Sequence, residues 1–285
     1  MKHIEFFHKE HFENNYFRVS PDASLSYYID FFWETRFEEL LQNHPRGFSD
    51  VLFPNIGYTY LVNLGTPFIM QLNEDRFEIK KTGFLPRHKC IECYHRAGNQ
   101  IFGIKFKISP ALLEKKINFS EYRESISPLS YLVDEAVIKK IKAAKTFIER
   151  VNLATNYYQQ IVQNRGSTIY PVNVVSEILE TCSRENNFSI SIAAIATKYK
   201  ISSRTLQRYF EATTSISSKK ALQIMRIRKA TAHLANSPGN FHYSLYGYYD
   251  HSHFYKHLKG FFQKKTLEII KPHLALLEQL HKRSP

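Results

Sequence analysis

The sequence holds only three cysteines, Cys90, Cys93 and Cys182, among its 285 residues. So few, in odd number, exclude a disulfide framework and suit a reducing compartment. No apolar run approaches the ~20 residues that a membrane-spanning helix needs. The opening MKHIEFFHKEHFENN is too polar for the apolar stretch of a secretory signal. A cytoplasmic location with no membrane partner is therefore expected. Also missing are a Gly-rich phosphate loop, a G-x-S-x-G elbow and a dinucleotide fingerprint. The N-terminal half carries His3, His8, His11, His44, His88 and His95 without one H-x-H pair, which a metal-dependent barrel oxygenase would be expected to show. Neither catalysis nor a cofactor is expected.

What is present is ordinary globular material, 43% hydrophobic and 23% charged, with 22 Phe and 18 Tyr to fill sizeable cores. The length suits two domains. The net charge is +13 and lies unevenly. Residues 171–285 hold 17 Lys and Arg against 7 Asp and Glu, which is +10 of the total. A basic excess of this kind attracts phosphate backbones through counterion release.

Residues 1–108 read as β-rich. Val51–Phe53, Tyr58–Leu64, Phe68–Leu72, Phe77–Lys80 and Ile101–Ile108 are short, rich in aromatic and β-branched residues, and separated by Gly, Pro and Asn. GIKFKI alternates as a half-buried strand does. An antiparallel sandwich or small barrel follows, with an early helix near Leu25–Trp33. Residues 109–165 turn helical. Val137, Ile141, Ala144, Ile148, Val151, Thr155, Tyr158 and Val162 recur at spacings of four and three. That stripe fits either a dimerising coiled coil or a helix packed on its own domain. Gln163–Pro171 reads as a linker. The fold class is thus α+β: an antiparallel β domain, a helical linker, and an all-α domain over residues 171–285.

That last part carries the most specific pattern. In SISIAAIATKYKISSRTLQRYFEATT, Ile192, Ile195, Ala196 and Tyr199 form one face of a short helix. Ser202 or Ser203 can cap the next, whose inner face is Leu206, Tyr209 and Phe210. Its outer face, Arg204, Gln207, Arg208 and Glu211, offers groups suited to base edges in a major groove. A long helix, roughly Ser217–Asn236, leads to GYYDHSHFYKHLKGFF. There Gly247 and Tyr248 fit a turn, Asp250 a cap, and Phe254, Leu258 and Phe261 an inner face. This ordered trio, over about Ile190–Leu267, resembles the AraC/XylS family of bacterial regulators.

The resemblance implies a transcription regulator, activator or repressor, with two helix-turn-helix units on one connecting helix. It implies DNA contacts from Ser203, Arg204, Gln207 and Arg208 in the first unit. In the second it implies His251, Ser252, His253, Tyr255 and Lys256. Partners so implied are double-stranded DNA, RNA polymerase, a small-molecule effector and a second copy of the chain. The pieces LSYYIDFFW, LFP, YLVNLGTPF and AGNQIFGIKFKISP resemble the cupin-like sensor domains found in that family, and Trp33, Tyr58, Tyr60 and Phe68 are candidates to line an effector pocket. The chain departs from the family at Lys200 and Ser215, where Gly or Asn is frequent, at Tyr243, and at Gln263, Lys265 and Thr266. HKCIECYH (His88–His95) has the C-x₂-C of half a zinc site but no second pair, so no metal is expected. The competing class is a non-enzymatic ligand-binding module whose basic helices only scaffold. Steep salt dependence of DNA binding separates the two.

Overall fold

The computed structural model describes residues 15–108, 124–165, 170–237 and 240–262. Among the described residues nine strands form two antiparallel sheets. One has the order β1 (Tyr16–Val19), β2 (Ile29–Arg36), β9 (Gln100–Phe106), β4 (Tyr58–Asn63) and β7 (Thr82–Pro86). The other runs β3 (Phe48–Leu52), β8 (Ile91–His95), β5 (Phe68–Leu72) and β6 (Asp75–Ile79). A short helix α1 (Glu38–Asn43) follows β2. The expected helix near Leu25–Trp33 is corrected: only Ala23–Leu25 makes a turn of 3₁₀-helix, and Ile29 begins β2. Its IDFFWETR buries both faces, and aromatic side chains on a pleated surface outweigh a helical reading.

The larger sheet is covered on both sides. Phe31, Trp33 and Leu61 point between the sheets, while Phe32, Tyr58, Tyr60 and Val62 point to the helices. β9 is accordingly buried from Ile101 through Phe106, not half-buried as its alternation suggested. Lys105 lies inside, its ammonium donating to the Ile56 carbonyl at 2.5 Å and the Phe106 carbonyl at 2.7 Å. Gly103 sits under the Trp33 indole, which a Cβ would meet at 2.1 Å, so this position requires glycine.

Two helices, α2 (Glu135–Ala143) and α3 (Phe147–Arg165), replace the single continuous stripe over 137–162. Ala144 breaks the run in an extended conformation. Ile138, Ile141, Val151, Ala154 and Tyr158 are buried in the chain's own core. The apolar stripe is therefore split between two helices, with Ile141, Val151 and Tyr158 buried and Ile148 56% exposed, so no single continuous helix carries it. Arg150 of α3 reaches into the larger sheet and pairs with Glu34 at 2.9 Å, both nearly fully buried.

Five further helices follow: α4 (Tyr170–Glu185), α5 (Ile192–Lys198), α6 (Ser203–Thr214), α7 (Ser218–Asn236) and α8 (His251–Phe262). Their inner side chains join those of the larger sheet in one connected hydrophobic cluster, from Tyr58 and Phe84 through Val175 and Leu206 to Phe254. Gln263, Lys265 and Thr266 lie outside the described residues.

Candidate nucleic-acid interface

The first unit is α5, a tight turn and α6. Ser191 caps α5, accepting from the Ala194 amide at 3.1 Å, and Ser202 caps α6, accepting from the Thr205 amide at 3.0 Å. Between them Lys200 holds φ 55, the left-handed conformation that its place in the turn demands. Ser215, at the C-terminal cap of α6, holds φ 61. Ile195, Ala196, Leu206 and Phe210 are buried where the helices meet. Alternate burial leaves Ser203, Arg204, Arg208 and Glu211 exposed on the far side of α6.

Gln207 is placed differently. Its amide nitrogen donates to Glu211 Oε1 at 2.8 Å, and its oxygen accepts from Ser218 Oγ at 2.9 Å and from the Ser218 amide at 3.3 Å. The amide oxygen thus ties α6 to the first turn of α7, while the amide nitrogen is held within α6. Sequence spacing puts Gln207 on the face of Arg204 and Arg208; only the tertiary arrangement shows that its hydrogen bonds are already committed.

α7 has 19 residues, about 28 Å at 1.5 Å per residue. Ser217 caps its start. Its later half holds the second unit: His233 Nδ1 meets Tyr246 Oη at 3.0 Å, and the Arg226 guanidinium lies 3.7 Å from the centre of the Tyr248 ring. Here the bracing element is only a 3₁₀ turn, Tyr243–Tyr246. Gly247 then turns the chain at φ 69, and a Cβ there would meet Ser189 Oγ at 2.3 Å. Asp250 Oδ1 accepts from the His253 amide at 2.6 Å, capping α8 as the sequence suggested. Phe254 and Leu258 are buried, while His251, Ser252, His253, Tyr255, Lys256 and Lys259 are exposed.

His257 faces the other way. It meets Tyr248 Oη at 2.7 Å through Nδ1. Burial lowers its pKa to about 4, with Arg226, Lys220 and His253 adding to the effect. Burial likewise pushes the Tyr248 hydroxyl up. His257 is therefore a neutral structural side chain, and sequence gave no means of separating it from its exposed neighbours.

The four aromatic candidates for an effector pocket, Trp33, Tyr58, Tyr60 and Phe68, are at most 5% exposed and belong to the packed cores. Tyr58 Oη lies 2.5 Å from Ser215 Oγ, so this aromatic joins the β domain to the end of α6. The large cavity lies elsewhere, between the β domain and α4 and α7. It measures about 760 Å³, and its lining includes Lys105, Lys107, Arg228 and Lys229 beside Leu179 and Met225. Arg228 bridges it, donating to the Pro54 carbonyl at 2.7 Å. Lys229 donates to the Ser183 carbonyl.

Two helix-turn-helix units joined by one connecting helix, behind an N-terminal β sandwich, are the class of architecture these elements define. No protein-family model and no curated protein matches the chain. Among solved structures it is similar to an apo form of ToxT from Vibrio cholerae strain SCE256 bearing one substitution, at 10% identity over 85% of this chain and 95% of that one, with a TM-score of 0.42. It is also similar to wild-type ToxT of that strain bound to an unsaturated fatty acid, at 9% identity over 87% and 90% with a TM-score of 0.40. The AraC-like transcriptional activator CuxR aligns at 11% identity over 79% and 90%, with a TM-score of 0.22. With about nine residues in ten different, these likenesses do not say which side chains act. Among the described residues no helix is long and apolar enough to cross a membrane.

Proposed function

We propose that the protein is a DNA-binding transcription regulator of the AraC type, in which α6 and α8 enter successive major grooves of one duplex. The observation that carries this is the pairing of two exposed, capped helices through α7, whose ~28 Å length approaches the ~34 Å of one DNA turn. Arg204 and Arg208 supply the base-reading groups, since an Arg fork matches the O6 and N7 acceptors of guanine. Ser203 contacts phosphate at the start of α6. His251, Ser252, His253, Tyr255 and Lys256 make the second contact. Because its brace is only a 3₁₀ turn, that contact goes mainly to the backbone.

The cavity between the sandwich and α7 supports control by an effector. Its cationic rim and apolar patches suit a small amphipathic anion, and its volume suits a ligand of that size. This placement supersedes the four aromatic side chains as the expected effector site.

The test is selection of bound sequences from a random DNA pool, then titration of the winner across salt. With about 6–10 phosphate contacts, affinity should fall ~10³–10⁵-fold between 50 and 200 mM salt. A flat salt response with no enriched sequence would instead favour a ligand-binding module with a basic scaffold.

A further inference from the structure

We infer that Asp50, Cys93 and His95 form a binding site for a divalent transition-metal ion of the zinc class inside the β sandwich. This inference stands independently of the DNA-binding reading, and it reverses the sequence expectation that no metal is held. The C-x₂-C pair is not the site: Cys90 is half-buried outside β8, with its thiol 3.9 Å from the Phe261 carbonyl. The sheet register brings a different set together. Cys93 and His95, two apart on β8, share its buried face, and Asp50 on β3 is the cross-strand partner of Cys93. The three ligating atoms lie within 4.8 Å of one another.

The hydrogen-bond chain behind His95 sets its tautomer. Asn99 Nδ2 donates to the Thr66 carbonyl at 3.3 Å, which turns Asn99 Oδ1 toward His95 Nδ1 at 2.6 Å. Nδ1 must then carry the hydrogen and donate it, leaving a lone pair on Nε2. That lone pair points at Asp50 Oδ1, 3.4 Å away. Neither atom has a hydrogen-bond partner, although the two side chains are only 1% and 2% exposed. Two buried acceptors aimed at each other need a cation between them.

Distance separates a proton from a metal. A charged hydrogen bond between ring and carboxylate would close to about 2.7–2.9 Å. Two ligands each ~2.0–2.1 Å from a tetrahedral ion lie about 3.3–3.4 Å apart, as these do. A thiolate and a carboxylate also offset a dipositive ion in a dry interior, where the buried Arg87 guanidinium acts on Cys93 as well. Phe37, Phe48 and Phe68 pack around the His95 ring at centroid distances of 4.0, 5.0 and 5.6 Å and keep water out. Asn99 performs the orienting task that such ligand histidines require. Three protein donors leave one coordination position of a tetrahedral ion.

The site is enclosed, so the ion enters as the β domain folds. The test is refolding of the full chain, under reducing conditions, with cobalt(II) as a spectroscopic substitute for zinc. The expected result is one retained equivalent with a thiolate-to-cobalt charge-transfer band in the near ultraviolet. That band should survive Cys90→Ser and Cys182→Ser and vanish in Cys93→Ser. Asn99→Ala should weaken binding ~10–100-fold while keeping the band at saturation. A folded wild-type protein that shows no such band overturns the inference without recourse to any variant. So does a band that persists in Cys93→Ser, which would place the metal on other side chains.

Discussion

Arg208 and Gln207 are adjacent in the chain, yet their side chains have different tasks. Arg208 is exposed on the outer face of α6. Gln207 is bonded at both ends, to Glu211 and Ser218. Arg208→Ala should therefore weaken binding to the best DNA site by about 1–3 kcal/mol and relax preference at one base position. Gln207→Ala should lower thermal stability by an amount near that of one or two hydrogen bonds, about 1–2 kcal/mol, with the base profile unchanged. Comparing the two selected-sequence profiles decides the matter, and a profile altered by Gln207→Ala rather than Arg208→Ala would refute it. His257 offers a second residue-scale prediction. Its folded pKa, about 4, lies below the ordinary 6.5, so the unfolded chain takes up the proton first. Stability conferred by the neutral ring is present above pH 6.5 and is lost as pH falls toward 4. The loss is about 1–2 kcal/mol, since water still reaches part of the ring. Melting temperatures at pH 7 and pH 5 should differ less in His257→Gln than in the wild type.

At the scale of elements, helix ends and one buried ion pair hold the parts in register. Ser202 satisfies an otherwise unpaired amide at the start of α6. Its replacement by Ala should cost about 1 kcal/mol, and hydrogen exchange should rise at the first turn of α6. The Glu34–Arg150 pair fastens α3 to the larger sheet, with Gln100 also donating to Glu34 at 2.9 Å. Removing only the cation, as in Arg150→Met, leaves the buried carboxylate with Gln100 and the half-exposed Arg36, 3.7 Å away. Urea unfolding should then show a loss of about 3–5 kcal/mol, whereas exchanging both partners for apolar residues should cost much less. Much of this level is legible in sequence. Serine before a helical run, Asp250 before another, and Gly247 between aromatic residues each announce a boundary. What was misread is the helix proposed near Leu25, because a strand buried on both faces loses the alternation that identifies strands. Over 137–162 the spacing shows an apolar face, but neither the break at Ala144 nor what covers each residue.

At the scale of the whole molecule, the β sandwich and the reader helices share one core. Tyr58 touches the end of α6, and Arg228 ties the middle of α7 to the loop before β4. On the proposed function, a ligand between them biases how α6 and α8 are set. Small amphipathic carboxylates should change affinity for the selected DNA, and Arg228→Ala should abolish that response while the contacts of Arg204 and Arg208 remain. Equal coupling in wild type and variant, measured by DNA titration with and without ligand, would defeat this placement of the effector.

The sequence by itself determined much of the local chemistry: where the capped helices of the C-terminal part begin and where the cationic residues gather. These depend on a few neighbouring residues and can be read along the chain. Tertiary structure alone decided which polar groups face one another. Gln207 meets Ser218, Lys105 turns inward, and Asp50 joins Cys93 and His95, because strand register and helix packing bring together groups that linear spacing keeps apart.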